Sequence, residues 1–457
     1  MIISVAGSGF VGLVHGAVLS KQGHKVILFD INQDKINSII NFCEGKSNDL
    51  PIFEEGLPEI LRTSYKNKLI EFTTDSKRAI RESTFVFIAV GTPPDANGKA
   101  DLSYVDSVAH KIGEVLKETP SYKIIVNKST VPVGTARRVR KIIEQYYQGE
   151  FEVASNPETL AEGRAVMDSL YPNRLIVGVE SEKARKLFEE LYSSLFSPGQ
   201  SRIHFMAPES SELTKYACNT YLASQVALTN VFANLAKKAG ANWREMIPAV
   251  LGDERIGRFV HPGLGFGGSC FMKDVSQLYN TIKEIGGSEQ DFQLLKQVLE
   301  QNENQKMQLN IVLDRIYPEL NGKKIAVWGL AFKKDTNDIR EAASLKVIPD
   351  LLKKGAKVIA HDPQASEEFM HEMKKLNVDT TNLMIVEDMY EATKDSEALL
   401  ILNDWKLYRR PDYNQLRSNL SKRLILDGKD VFNYESIKEQ KDFEYHCIGR
   451  PSVNILL

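Results

Sequence analysis

Cysteine is scarce in this chain: four among 457 residues, at Cys43, Cys218, Cys270 and Cys447, with no C-x-x-C pair. That excludes a disulfide scaffold and fits a reducing cytoplasm. Net charge is nearly absent too. Lys+Arg 58 against Asp+Glu 60 leaves −2, so no global basic field draws the chain to nucleic acid or an anionic membrane, and phosphate binding has to be local. No stretch approaches the ~20 apolar residues of a membrane span, and Met1 leads into an apolar run without a basic n-region or cleavage site, so a soluble, unprocessed protein is expected. None of the eight histidines lies in H-E-x-x-H or at metal spacing from a cysteine; no metal site is expected. What remains, 42% hydrophobic and 26% charged, is the balance of a globular chain. Its length is about three times a typical domain of ~150 residues and predicts two or three domains.

The opening residues read as strand, glycine loop, helix and strand: IISVA, then Gly7-Ser8-Gly9-Phe10-Val11-Gly12, an apolar stretch to Ser20, Gly23 as a stop, and KVILFD ending at Asp30. Strand and helix patterns then alternate at 85–94, 103–118, 123–130, 134–147 and 151–158, which predicts a parallel sheet covered on both faces. From Pro208 to Gly240 the sequence has no internal glycine or proline and carries apolar residues at helical spacing. Ser210 or Ser211 is the expected N-cap and Gly240 the stop. Some thirty residues of helix span about 45 Å at ~1.5 Å per residue, enough to serve as a core helix or to join two domains and line a dimer interface. A second helical stretch is expected from Asp291 to Tyr317. After Asn321-Gly322 the opening pattern returns, with Gly329, Gly355 and Asp362 in the places of Gly7, Gly23 and Asp30. Lacking the rest of Gly-x-Gly-x-x-Gly, this second Rossmann-like unit suits half a nucleotide site rather than a whole dinucleotide. The expected fold is therefore α/β, two Rossmann-like parallel-sheet domains joined by a long-helix central dimerisation domain, divided at 1–200, 201–318 and 319–457.

Gly-x-Gly-x-x-Gly alone is a weak motif, but here it follows a buried strand, opens a helix whose N–H groups can hold a pyrophosphate, and precedes Asp30 by eighteen residues. Asp30 would accept the adenosine ribose hydroxyls and repel a 2′-phosphate, favouring NAD over NADP. The run from Gly263 to Asp274, GLGFGGSCFMKD, holds four glycines in six positions. A helix beginning near Ser269 would put Cys270 at its positive end beside Lys273, favouring thiolate, with Asp274 one turn on. Cys43, Cys218 and Cys447 read as inert. Lys215 and Asn219 share a helix face at i,i+4, and Glu158, Glu162 and the run Lys128-Ser129-Thr130 follow strand ends, where α/β folds place ligands. A solvated lysine and helix-capping glutamates are the plainer readings of these. His261 is either a substrate contact or a solvated loop residue.

Taken together, GSGFVG, VGTP, ADLSYV, KSTVPVGT, NPETLAEG, ELTKYACN, RIGRFVHPGLGFGGSCFMKD, GLAFKKDTNDIRE and the closing IGR resemble, in order and over essentially the whole chain, the UDP-glucose/GDP-mannose dehydrogenase family. The resemblance implies an N-terminal NAD domain, a dimer built on the long helix, and a C-terminal domain for the nucleotide of a sugar nucleotide. It implies Cys270 as covalent nucleophile, supported by Lys215, Asn219, Asp274, Thr130 and Glu158. The implied cofactor residues are Gly7, Gly9, Phe10, Val11, Gly12, Asp30, Lys35, Thr92, Thr130, Glu162, Lys273 and Arg340. Those implied for substrate are Glu158, Leu160, Lys215, Asn219, Arg255, His261, Gly267, Phe332 and Lys333, with Arg255 reaching a neighbouring subunit's substrate. GFGGSC followed by Phe and Lys-Asp resembles the UDP-glucose branch; the N-acetylhexosamine and GDP-mannose branches are the alternatives. Met272 and Lys429 depart from the proline and arginine common in the family, and Lys429 loses bidentate phosphate geometry while keeping charge. The implied reaction is a four-electron oxidation at C6 through a cysteine thiohemiacetal and thioester, with two NAD+ per sugar. A two-electron hydroxyacid-type dehydrogenase, which would not need Cys270, and a non-catalytic NAD- or UDP-sugar-binding regulator are the rivals.

Overall fold

The central strands in this chain are short runs buried at nearly every residue, as parallel sheets covered on both faces require. Edge strands such as Ile203–Met206 and Leu383–Ile385 are partly exposed. Val26–Phe29, Phe85–Ile88 and Ile124–Asn127 are buried at every residue. The computed structural model describes the chain except residues 94, 96–98, 197–201, 254–255, 257–260, 269–270, 285–287 and 455–457, and the side chains of 283, 284, 289, 291 and 292. The chain forms two units, Met1–Cys218 with Ser276–Gly286, and Asn219–Val275 with Gly287–Leu457.

The first unit holds β1 (Ile2–Ala6), β2 (Lys25–Phe29), β3 (Ile70–Thr73), β4 (Phe85–Ile88), β5 (Ile124–Asn127), β6 (Glu152–Ser155), β7 (Leu175–Gly178) and β8 (Ile203–Met206). They form one sheet in the order β3-β2-β1-β4-β5-β6-β7-β8. The first six strands are the doubly wound dinucleotide-binding arrangement. The expected parallel sheet is present through β6, and β7, beyond the strands read from the sequence, meets β6 antiparallel through the single pair Ser155↔Gly178. β7 and β8 are parallel to each other, so the added pair runs against the first six strands.

The second unit holds β9 (Lys324–Trp328), β10 (Lys357–His361), β11 (Leu383–Ile385), β12 (Ala398–Ile401), β13 (Leu424–Asp427) and β14 (Glu444–Cys447), ordered β11-β10-β9-β12-β13-β14 and parallel throughout. The turn after β9 repeats the turn after β1. Gly7 and Gly329 have φ of +102° and +100°, a region open to glycine at little cost. Each donates its N–H at 2.8 Å to the last carbonyl of the next strand, Phe29 or His361. The aspartate at the end of each following strand takes the N–H after the glycine in both units, and in the second unit it takes more. Asp362 is buried and turns its carboxylate into the glycine loop: Oδ2 accepts Leu330 N–H at 2.7 Å, Ala331 N–H at 3.1 Å and Trp405 Nε1–H at 3.2 Å, while Oδ1 accepts Gln364 and Ala365 N–H at 2.9 Å. The N–H groups that would meet a pyrophosphate are thus engaged by the protein's own anion.

The long helix spans Pro208–Lys238 and its last turn leads to Gly240 at φ +73°. It begins two or three residues before the expected serine cap, Ser210 or Ser211, because proline suits the first helical positions, where an N–H has no intrahelical acceptor. Ser211 Oγ–H instead donates to the Ser155 carbonyl at 3.1 Å. The expected second helix is two, Glu289–Lys306 and Gln308–Ile316. The interruption follows Lys306, whose buried ammonium lies 2.6 Å from Glu303 and 2.8 Å from Glu341. The helix expected at 134–147 is Thr135–Glu144. Among the described residues no helix is long and apolar enough to cross a membrane.

Asp362→Ala removes the shared acceptor of three buried donors, Leu330, Ala331 and Trp405. It is expected to lower the unfolding free energy of the second unit by about 3–5 kcal/mol, measured by urea unfolding. A loss below about 1 kcal/mol would contradict this account of the turn.

Candidate active site

In the first unit the glycine turn is shaped for close approach. A Cβ on Gly12 would lie 2.0 Å from the Gly7 carbonyl oxygen, and one on Gly7 2.7 Å from that of Ala89. Gly9 at the N-cap brings no side chain to the first turn of the helix Phe10–Lys21, which contains Phe10, Val11 and Gly12. A bare helix N-terminus behind glycines is a cradle for an anionic group. Asp30 ends the neighbouring strand, with Oδ2 accepting Ser8 N–H at 2.7 Å and Ser8 Oγ–H at 2.6 Å, and Oδ1 accepting Asn32 N–H at 3.0 Å. Burial pushes its carboxyl up, but these donors and the Lys35 charge outweigh it and hold Asp30 below the ordinary aspartate range. The residues fit a dinucleotide whose ribose meets an ionised carboxylate. Thr92 Oγ1–H donates to the Thr130 carbonyl at 3.0 Å, tying together two loops that each carry a cofactor candidate.

Past the ends of β5 and β6 lies a buried polar cluster. Glu158 Oε1 is 2.7 Å from Lys215 Nζ on the long helix, and Glu158 Oε2 accepts Leu160 N–H at 2.9 Å. Glu158 and Lys215 are each 5% exposed; at that depth an ion pair persists because each charge has a partner. The loops are fixed from a distance by two glutamates that sequence reading missed. Glu212 accepts Gly134 N–H at 2.6 Å and Ala136 N–H at 2.8 Å, at the start of the helix Thr135–Glu144. Glu54 accepts Gly163 N–H at 2.8 Å and Ala165 N–H at 2.7 Å, at the start of the helix Ala165–Leu170. Burial pushes Glu212 up to about 7 against those donors. The available signal was an acid on a buried helix face, Glu212 one turn before the fully buried Tyr216. Glu162, in the second of these loops, is half-buried.

In the second unit Asn219 Nδ2–H donates to Asp274 Oδ2 at 2.5 Å, and Lys273 Nζ lies 2.8 Å from Asp274 Oδ1. Lys273 and Asp274 stand in the first turn of the helix Phe271–Glu284. Cys270 and Arg255 lie outside the described residues. The glycine run before the helix is gripped by amides that the sequence reading also missed. Asn302 accepts Phe266 N–H at 2.7 Å and donates to its carbonyl at 3.0 Å; Gln305 donates to the Gly263 carbonyl at 2.7 Å; Asn230 accepts Gly263 N–H at 2.9 Å. For Asn302 and Gln305 the signal was buried amides at i,i+3 on one helix. A Cβ on Gly267 would lie 2.6 Å from the Glu341 carbonyl oxygen and 2.8 Å from Phe332 Cβ, and Gly268 N–H donates to the Arg340 carbonyl at 2.7 Å. Lys333 Nζ stands 5.3 Å from the Phe332 ring centroid, so Gly267, Phe332, Lys333 and Arg340 come together. His261 is exposed, and Lys429 packs along Gly263, whose Cβ would be 3.3 Å from Lys429 Cδ.

Burial raises the Cys43 thiol to about 11 and pushes Cys447 higher still, which disfavours thiolate at both. Cys218 is half-buried and accepts Arg174 Nη2–H at 3.4 Å. Among the described residues no group of three or more His, Cys, Asp or Glu is arranged to hold a metal ion.

Comparison with known proteins places these features in one family. Residues 1–196 match the NAD binding domain of the UDP-glucose/GDP-mannose dehydrogenase family, residues 209–304 its central domain and residues 326–434 its UDP binding domain. The chain is 38% identical over 454 residues to the UDP-glucose 6-dehydrogenase TuaD of Bacillus subtilis (strain 168), covering 99% of this chain and 94% of that one. It is 36% identical over 457 residues to the UDP-glucose 6-dehydrogenase of Rhizobium meliloti (strain 1021), covering 99% and 100%. The solved UDP-glucose dehydrogenase of the hyperthermophilic archaeon Pyrobaculum islandicum superimposes with a TM-score of 0.85 at 32% identity, over 94% of each chain. With its two sheets, its glycine turn and all three family domains in order, this chain belongs to the UDP-glucose/GDP-mannose dehydrogenase family.

Proposed function

We propose that this chain is an NAD+-dependent dehydrogenase that oxidises the C6 hydroxyl of UDP-glucose to a carboxylate in two successive steps. The observation that carries the reading is the set of buried partners on one helix: Lys215 paired with Glu158 at 2.7 Å and, one turn on, Asn219 bonded to Asp274 at 2.5 Å. Asp274 follows Cys270 by four residues, and the full-length relatives named above as UDP-glucose 6-dehydrogenases support the substrate.

The glycine turn receives the pyrophosphate and Asp30 the ribose of NAD+, its ionised carboxylate repelling a 2′-phosphate. NAD+ supplies a hydride acceptor for each oxidation. Lys215 and Asn219 donate hydrogen bonds to the oxygen on C6 as negative charge develops there, in a site dry enough for such bonds to count. Glu158 and Asp274 hold those donors in place, and with Thr130 they order the water that carries protons away. Once the alcohol is an aldehyde, the Cys270 thiolate adds to C6: the S–C bond forms and the oxygen takes a proton, giving a thiohemiacetal. Loss of the second hydride and of that proton leaves a thioester. Water adds to its carbonyl, the S–C bond breaks, and the acid and free thiolate are released.

In this reading residues 1–200 bind NAD+, 201–318 carry the long helix and the cysteine loop, and 319–457 hold the nucleotide of the sugar. The enzyme works in the cytoplasm, where a reducing environment keeps Cys270 a thiol. It works as a homodimer. The long helix leaves Tyr221, Leu228 and Leu235, spaced by seven residues, 74%, 55% and 58% exposed, with Phe232 43% exposed beside them. Large apolar side chains in such a stripe mark an interface, and a second copy supplies a matching one.

Three measurements test this. Among UDP-glucose, UDP-N-acetylglucosamine, UDP-N-acetylmannosamine, UDP-galactose and GDP-mannose, UDP-glucose should give the highest kcat/KM with NAD+; faster turnover of an N-acetylated sugar would move the protein to another branch of the family. Cys270→Ala should keep UDP-glucose binding by calorimetry while acid formation falls by at least about 10³-fold; near-normal acid production would remove Cys270 as nucleophile. Leu235→Glu should turn a dimer into a monomer by light scattering, and an unchanged mass would overturn the assigned interface.

A further inference from the structure

Lys128 lies beside this chemistry and has no part in it so far. It follows β5 directly and is 6% exposed. Its Nζ–H donates to Asn156 Oδ1 at 3.2 Å, the oxygen that also accepts Tyr192 O–H at 2.6 Å, while Asn156 Nδ2–H donates to the Ile176 carbonyl at 2.8 Å. No carboxylate of the described residues lies within ion-pair reach of it, so a buried ammonium rests on a neutral amide. Lys128 and Glu158 line one cavity, together with His15, Asp168 and Tyr192.

The charged and titratable groups facing it come from every element around that cavity. His15, on the helix Phe10–Lys21, is held neutral by burial and by the Lys128 charge. Asp168, on the helix Ala165–Leu170, is engaged by Ala161 N–H at 3.0 Å and by Arg164 at 3.5 Å. Tyr192 follows the helix Glu182–Leu191, and burial raises its phenol well above the ordinary range. That leaves Glu158, which attracts the ammonium, and Lys215, which repels it.

We infer that Lys128 is a positioning residue for the reaction, acting through Glu158: its charge acts across the cavity that both line on the carboxylate paired with Lys215, and so sets how much positive potential Lys215 keeps for the oxygen on C6. The inference rests on the roles assigned to Glu158 and Lys215 above. Burial, reinforced by Lys215 and opposed by Glu158, brings the Lys128 ammonium down to about 8. Below that pH two ammonium charges, one paired with Glu158 and one across the cavity from it, act on one carboxylate. Above it Lys128 is neutral, Glu158 leans on Lys215 alone, and the potential offered to a developing oxyanion falls. kcat should therefore decline as pH rises through about 8.

The test uses the full-length enzyme with saturating UDP-glucose and NAD+ from about pH 6 to about pH 10. Lys128→Met fills the space without charge, and replacing an ammonium that lacks a carboxylate partner by an apolar chain of similar length should not destabilise the fold. Expected is a kcat about tenfold lower at the acid end, the limb near pH 8 gone, and KM for both substrates within about twofold. Lys128→Arg, ionised throughout, should restore the acid-side kcat and move the limb upward. If the methionine variant does not fold by circular dichroism, the arginine variant decides: a limb moved upward supports the inference, and an unmoved limb overturns it. A folded methionine variant that keeps the limb also overturns it. Glu158→Gln separates this inference from its foundation, since unchanged kcat there removes the role of Glu158, whereas lost kcat there with the limb intact in Lys128→Met removes only that of Lys128.

Discussion

Parallel sheets deliver their loops at the carboxyl ends of the strands, and those loops carry backbone N–H groups that water cannot reach once the fold closes. This protein meets that constraint with carboxylates that are buried or, for Asp30, half-buried. Asp30, Glu158 and Asp362 each accept N–H groups from the loop beside them; Glu54 and Glu212 do so from distant segments; Asp427 takes those of Lys429, Val431 and Phe432 and the Tyr445 hydroxyl. An ionised acceptor makes a stronger bond than a neutral one, and a shared acceptor fixes several residues at once. The loops that carry Thr130, Glu158, Glu162 and Lys333 are held this way, which fixes side chains on loops in defined positions.

The same device explains how two copies of one architecture came to serve different ends. After β1 the carboxylate takes only Ser8 from the glycine turn and the helix behind Gly9 has no side-chain cap, so an anionic group can be received. After β9 the carboxylate reaches into the turn and takes the N–H groups of Leu330 and Ala331. Asp30 and Asp362 hold equivalent positions, and each takes the N–H after the glycine and the N–H two residues past itself; Asp362 alone also takes Ala331 N–H and Trp405 Nε1–H. The first turn keeps more of its N–H groups for an anionic group, and the second is tied up by its own aspartate.

Much of this could be read from the sequence, because its governing patterns are local. The glycine motif with Asp30, its return around Gly329 and Asp362, the long helix and the apolar strands all follow from spacing along the chain. Sequence patterns fall short where the deciding partner is distant. They point to a serine cap at the start of the long helix, whereas proline begins it and Ser211 is drawn to Ser155. The antiparallel meeting of β6 and β7 rests on a single residue pair. Glu54, Glu212, Asn302 and Gln305 act on loops between 36 and 111 residues away in sequence; only the folded chain shows a buried acid or amide to have such a partner. Lys128 was visible in its motif, but its burial was not.

The central claim is that one site removes four electrons from one sugar through a thioester on Cys270. NADH formed per UDP-glucose consumed, followed by absorbance against chromatographic quantitation of the sugar nucleotides, measures this directly. The account predicts two NADH for each UDP-glucose, with the acid as product and no aldehyde released. One NADH for each UDP-glucose, with free aldehyde accumulating, would contradict it.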